Sequence, residues 1–263
     1  MVTNESTQPV SPPRGKTPTA RSSPAIGLDR SIPPRPPQRI SDSVYEALTE
    51  AIRDLRLLPG APISEPSVAE WLNVSRSPVR EAIARLVDLG LVTVKPQVGS
   101  YIAPISLQEV EEAAFIRSAL ETSAFKRAIR DGTPDTTEIQ RLVDINKAAA
   151  ESGDIETFFD TDEKLHQNVF ELAGLGRIWN VVRRTKIQLD RLRRLSLPRV
   201  MSNPVLVEEH QLIVDCLRTR NEQLGVEIIE RHATRIFHTI EDHRSLYPDY
   251  FSEQRSSPSH HRN

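Results

Sequence analysis

The sequence holds one cysteine, Cys216, among 263 residues. A lone thiol cannot close an intramolecular disulfide, so the fold must rest on its core, and a reducing cytoplasm suits it. No apolar run approaches the roughly 20 residues needed to span a bilayer, and the first residues lack the apolar segment of a secretory signal. A soluble, cytoplasmic protein is expected. Charge of one sign is also missing: 34 Lys and Arg against 36 Asp and Glu leave a formal net charge of −2. That excludes a global basic field, so any affinity for nucleic acid must come from a local patch. Hydrophobic residues make up only 38%, which suffices for two modest domains once polar ends are set aside. Cys216 lies in an apolar helical stretch and is expected in the core.

What is present is concentrated at residues 73–91, NVSRSPVREAIARLVDLGL. Ser75 can cap a helix starting near Arg76, and Pro78 is tolerated in its first turn, where backbone amides have no internal partner. Val79, Ala82, Ile83 and Leu86 recur at helical spacing as one buried stripe, while Arg76, Ser77, Arg80 and Ala84 face the other way. Gly90 stops the helix where a left-handed residue is favoured, and LVTVKPQVGSYIAP follows as two short β-branched runs around a turn. Upstream, Val44, Leu48, Ile52 and Leu55 mark an amphipathic helix from about Ile40, closed by Leu58, Pro59 and Gly60. Ser64 to Leu72 supply a second helix with Ser64 as its cap.

This order predicts a winged helix-turn-helix with a small β-hairpin. Guanidinium groups one turn apart near a helix N-terminus can enter the major groove together, where arginine donates two hydrogen bonds to guanine. Ser77 is small enough to let the backbone approach, and Gly99 at the wing tip lets main chain near phosphate or the minor groove. A solvated basic face on a small helical domain is the competing reading.

Residues 40–102, and VSRSPVREA above all, resemble the DNA-binding half of GntR-type bacterial transcription regulators. The resemblance implies that Arg76, Ser77, Arg80 and Gly99 contact double-stranded operator DNA. Pro66 stands where that family usually has a basic residue, which removes a side chain that would reach DNA there.

Four segments are expected: a Pro/Arg-rich disordered arm at 1–38, the winged helix at 39–104, an all-α antiparallel bundle at 105–247, and a disordered tail at 248–263, making a mainly α protein. Arg14, Lys16, Arg21, Arg30, Arg35 and Arg39, in the arm and at its end, could graze DNA phosphates, or the arm could be inert. His260 and His261 in the tail are expected to be solvated. Ser106-Leu107-Gln108-Glu109 has the form of a capping box that opens the bundle. Helices are expected at about 107–131, 135–151, 154–174, 176–197, 202–220 and 222–246, punctuated by Gly132, Gly153, Gly174, Gly176, Pro198 and Pro204.

In that half Asp162 and His166 are one helical turn apart on one face, with His210 and His232 on two further helices. A bundle can bring three such helices around one interior, and three neutral imidazoles with a carboxylate suit a divalent transition metal: Zn, Ni, Co or Fe. Polar core histidines are the alternative from spacing alone. Residues 107–246 resemble the FCD effector domain of the FadR subfamily, with matches at DEKLH, EEH and ERH. The resemblance implies that Asp162, His166, His210 and His232 are metal ligands. It further implies that Arg117, in FIRSALE with Glu121, binds the carboxylate of a small organic acid; an ordinary i, i+4 ion pair is the competing role. ELAGLGRIW lacks the asparagine usual in that domain near Leu175 or Gly176.

The basic run Arg183, Arg184, Lys186, Arg191, Arg193, Arg194 and Arg199 falls on several helix faces and reads as a solvated or dimer-facing helix with one arginine entering the pocket. The expectation is a homodimeric bacterial transcription regulator, a repressor, whose affinity for a palindromic operator is set by a small carboxylate at the metal site. The alternatives are a metal-dependent enzyme fused to a DNA-binding head and a constitutive DNA-binding protein.

Overall fold

The first ordered helix, α1 (Ile40–Arg53), buries Val44, Leu48, Ala51 and Ile52 along one stripe. The computed structural model describes residues 39–130, 132–201 and 204–252, so the arm at 1–38 and the pair His260 and His261 lie outside the described residues. Leu55, expected on α1, instead follows it with φ 57°, and Leu57 enters the core. α2 (Glu65–Leu72) starts after Ser64, whose hydroxyl accepts from the Ser67 amide at 3.3 Å. α3 (Arg76–Asp88) follows a tight turn in which Asn73 is left-handed. Ser75 precedes α3 with extended backbone, but its side chain makes no cap hydrogen bond, contrary to expectation.

The wing pairs β2 (Val92–Lys95) with β3 (Gly99–Ile102), antiparallel, Val92 opposite Ile102 and Lys95 opposite Gly99. A third strand, β1 (Pro62–Ile63), adds to the other edge of β3. Two residues are too few to display alternation, so sequence periodicity could not reveal it. Val79, Ala82 and Leu86 of α3 pack with Leu48, Ile52 and Ile102, all essentially inaccessible to solvent. This core fixes the exposed face of α3.

The second unit runs α4 (Leu107–Arg130), α5 (Thr137–Ser152), α6 (Ile155–Leu172), α7 (Gly176–Thr185), α8 (Ile187–Val200), α9 (Val205–Thr219), α10 (Glu222–Thr234) and α11 (Ile240–Leu246). The Ser106 hydroxyl accepts from the Glu109 amide at 3.3 Å, the serine half of the expected capping box. Two expected helices are each broken. The 176–197 segment splits at Lys186, which is fully buried and turns its ammonium to Glu163 at 2.5 Å and Asp190 at 2.6 Å. The 222–246 segment is interrupted by a 3-10 turn at Arg235–Thr239. Pro198, expected as a stop, lies inside α8.

Phe125, Ile139, Leu165, Val169, Phe170, Leu217 and Ile228 form the bundle core, and Cys216 is buried beside them as a free thiol. α10 crosses α4 so closely that a Cβ on Gly225 would overlap the Phe125 ring. The expected tail begins too early: the Ile105 amide donates to the Tyr250 carbonyl at 2.7 Å, the Ser252 amide donates back to the Ile105 carbonyl, and Phe251 is buried in one cluster with Ile105, Val110 and Leu192. Apolar Tyr250 and Phe251 amid polar neighbours account for this. Among the described residues no helix is long and apolar enough to cross a membrane.

Candidate metal centre and nucleic-acid interface

Burial selects four side chains at the centre of the bundle. Asp162 and His166 project from α6, His210 from α9 and His232 from α10, each offering one donor atom, all within 4.8 Å of one another. The three rings stand with centroids 4.8 to 5.5 Å apart. Every imidazole is held from outside through Nδ1: His166 by a short contact with Glu121 Oε1, His210 by Asn146 Oδ1 at 3.2 Å, His232 by Glu209 Oε2 at 3.2 Å. Such partners fix tautomer and ring direction and leave Nε2 as the inward donor atom. His210 Nε2 lies 3.3 Å from Asp162 Oδ1. Yet Nε2 of His166 and of His210 are both buried without a hydrogen-bond partner. A buried polar atom left so is destabilising unless something else meets it.

The protonation states of Asp162, His166 and His232 match the donor set. Burial, aided by the nearby Arg117 charge, holds His166 well below the usual imidazole range. Burial likewise pushes His232 down to about 3, against the pull of Glu209. Burial opposes ionisation of Asp162, but Arg193 against its Oδ2, with His210 and His166 beside it, holds its carboxyl well below the usual range. Neutral imidazoles and an ionised carboxylate are the metal-binding forms of these groups. The residues present therefore fit a divalent transition metal.

A cavity of about 350 Å³ opens beside the cluster, bordered by Asp162, His232, Arg117 and Arg193. Arg117, on α4, is 3% exposed, and its Nε and Nη2 have no hydrogen-bond partner. Its Nε stands 3.5 Å from Glu121 Oε2, so the i, i+4 ion pair exists at long range while the fork stays open. Burial raises the Glu121 carboxyl above its usual range, and that residue also braces His166. Asn146 and Glu209 were not assigned roles from sequence, and Glu121 was expected only as an ion-pair partner of Arg117. Glu209 sits in the EEH run beside His210, but Asn146, 64 residues before His210, carries no sequence signal.

The basic run is a correction. Arg183 and Arg184 are exposed, but Lys186, Arg191 and Arg194 are buried, so α8 is neither solvated nor an open basic face. The side chain of Arg199 lies outside the described residues. One arginine does border the cavity: Arg193, bonded to Asp162, to Glu163 at 2.8 Å and to Asp190 at 3.1 Å. Its neighbours on α8 reach the winged helix. Arg191 donates to the Ala103 carbonyl at 2.7 Å, at the end of the wing. Arg194 bonds Glu156 at 2.7 Å, lies 3.4 Å from Asp54 after α1, and stacks 3.9 Å over Phe159. Ile187 packs into the core of the head.

On the head, Arg76, Ser77 and Arg80 are exposed on the first turns of α3. Arg80 donates from Nε and Nη2 to the two oxygens of Glu65, both at 2.9 Å. Glu65 thus presets the plane of the Arg80 fork across the helix-turn-helix, a role with no local sequence signature. Gly99 opens β3 with φ 143°, a conformation that side chains rarely adopt, at the rim of the wing.

A helical head with an antiparallel wing, joined through α8 to a helical bundle around a buried histidine cluster, defines a winged-helix DNA-binding protein with a helical second domain. Residues 40–102 match the bacterial regulatory proteins of the gntR family, and residues 112–235 match the FCD domain. The chain is 30% identical over 220 residues to the HTH-type transcriptional repressor RspR of Escherichia coli K12, covering 83% of this chain and 96% of that one. It is 33% identical over 213 residues to an HTH-type transcriptional regulator in an unstable DNA locus of Streptomyces ambofaciens, covering 80% and 88%. Its fold is similar to that of E. coli McbR/YncC, with a TM-score of 0.64 at 20% identity over 77% of this chain and 99% of that one. The chain belongs to the GntR family and carries an FCD domain; it is a transcription regulator and not an enzyme.

Proposed function

We propose that this regulator is a homodimeric bacterial repressor of the cytoplasm that releases a palindromic operator when a small carboxylate binds in its metal-containing cavity. The observation that carries the reading is a set of buried atoms without partners: His166 Nε2 and His210 Nε2 in the cluster, and two nitrogens of Arg117 on the cavity that Asp162 and His232 border. Asp162, His166, His210 and His232 would hold a divalent transition metal, Zn foremost, with Ni, Co or Fe as other occupants. When bound, that ion supplies a position for a carboxylate oxygen. The Arg117 fork binds the carboxylate, and Arg193 keeps Asp162 ionised and oriented. Because α8 carries Arg193 on one side and Arg191 and Arg194 toward the head, displacement of α8 repositions the reader helix.

In the DNA complex Arg76 and Arg80 read bases, Ser77 lets the backbone approach, and Gly99 brings the wing to the backbone or minor groove. A twofold dimer places two α3 helices about 34 Å apart, or closer for overlapping half-sites. The coupling cannot exceed the ligand's differential affinity for the two head arrangements. The test is fluorescence anisotropy of a duplex selected by the protein from a random pool. Small carboxylates should weaken binding of metal-loaded protein and leave chelator-treated protein unmoved. Equal operator affinity with every acid tried would support constitutive binding instead.

A further inference from the structure

Resting on the carboxylate reading above, we infer that the cavity takes a monocarboxylate with an apolar body, such as a medium-chain aliphatic acid, in preference to a polyhydroxylated or polycarboxylic acid. The argument is an inventory of what the walls still offer. Phe158 of α6, Leu189 and Leu197 of α8, Leu206 of α9 and Ile236 of the 3-10 turn supply an apolar lining. The volume of about 350 Å³ lies at the lower end of small-molecule sites, which span roughly 300 to 1,000 Å³.

Arg193, Arg235, Ser196 and Thr239 on the same walls are already engaged, and His238 is the further polar side chain there. Arg193 is held by Asp162, Glu163 and Asp190. Arg235 is held by Glu209 through Nε at 3.1 Å and through Nη2. The Ser196 hydroxyl lies 2.9 Å from the Leu192 carbonyl and 2.7 Å from His243 Nε2, and Thr239 donates to the Ile236 carbonyl at 2.9 Å. Of the three lining arginines, Arg117 alone keeps buried nitrogens with no hydrogen bond. One open fork beside the metal cluster matches one carboxylate, and a polyol would lose its water without gaining partners from these walls.

The test is isothermal titration of the full-length, zinc-loaded protein with acetate, butanoate, hexanoate, citrate and gluconate. Affinity should climb about fourfold per added methylene from acetate to hexanoate. Hexanoate should exceed citrate and gluconate at least tenfold. Arg117→Ala should abolish binding of every acid. Leu206→Ser, near the open start of α9, should flatten the chain-length series, with a parent-like circular dichroism spectrum and melting midpoint separating this from misfolding. A flat series, or gluconate or citrate binding more tightly through Arg117, overturns the apolar-body inference and leaves the carboxylate reading standing. If no acid binds the loaded protein, both fail.

Discussion

Replacing Asn146 with alanine isolates the outer support of the metal cluster. Asn146 is completely buried on α5, donates to the Phe158 carbonyl at 2.8 Å and to Thr161 Oγ1 at 3.0 Å, and faces His210 Nδ1 with its own oxygen at 3.2 Å. Phe158 and Thr161 keep helical or hydroxyl alternatives, since Thr161 also donates to the Thr157 carbonyl at 2.7 Å. His210 Nδ1 has none, and one orphaned buried donor costs about 1 to 3 kcal/mol. For a chain of this size that is a fall of roughly 2 to 12 °C in melting temperature. More telling is the metal: loss of an outer partner typically weakens affinity about 10- to 100-fold, because the imidazole loses its tautomer and direction. Competition against a chromogenic chelator measures it. Ile139→Val, on the same helix and equally buried, should destabilise by about 0.5 to 1.5 kcal/mol without touching metal affinity. Metal affinity of Asn146→Ala within threefold of the parent would refute the assigned support role.

Arg80→Ala should lose about 1 to 3 kcal/mol of discrimination between preferred and mutated operator while melting like the parent. Glu65→Ala should relax the same discrimination more weakly, because the fork of Arg80 then loses its preset plane; unchanged binding profiles in anisotropy competition would contradict both. Arg194→Met keeps the stack on Phe159 but removes both ion pairs, so calorimetry should show the single transition of the parent separating into two as the head melts earlier. One transition at the parent midpoint would argue against coupling through α8. The histidines set a pH dependence. His232 is pushed down to about 3 in the fold and titrates near 6.5 when unfolded. Between those values the unfolded chain binds the extra proton, so stability is fully present above about pH 6.5. It falls by about 1.4 kcal/mol per pH unit per histidine on acidification. His166 adds to the same trend. Melting midpoints of metal-free protein at pH 7.5, 6 and 5 should decline in that order, and a rise on acidification would contradict neutral buried imidazoles.

The head was legible because its signals are local. Val79, Ala82 and Leu86 keep helical spacing within one helix, and Gly90 takes φ 67° where the sequence calls for a stop. Strand β1 was not legible, since two residues carry no period and gain their place from β3. The four inward ligands were legible through the i, i+4 pair and the two histidine runs, whose side chains the bundle gathers to within 4.8 Å. Their supports were not: Asn146 and Arg193 act across helices, and nothing in their neighbours' identity marks a partner 64 or 31 residues away. The basic run misled for a related reason. Its charges are balanced by Asp190 on α8 itself and by Glu163 and Asp162 of α6, the latter a pairing that only the packing of α6 against α8 creates. Ion pairing inside the fold also explains the break at Lys186, which an apolar-period argument runs through.

The central claim is that the Asp162, His166, His210 and His232 cluster holds a metal ion, and metal content tests it most directly. Plasma mass spectrometry on tag-free protein purified without chelators should find near one equivalent of a divalent transition metal per chain. The His166→Ala/His210→Ala double variant, folded by circular dichroism, should carry none. Absence of metal from the parent even after attempted reconstitution, or equal metal in parent and variant, would contradict the account and reduce the cluster to polar core.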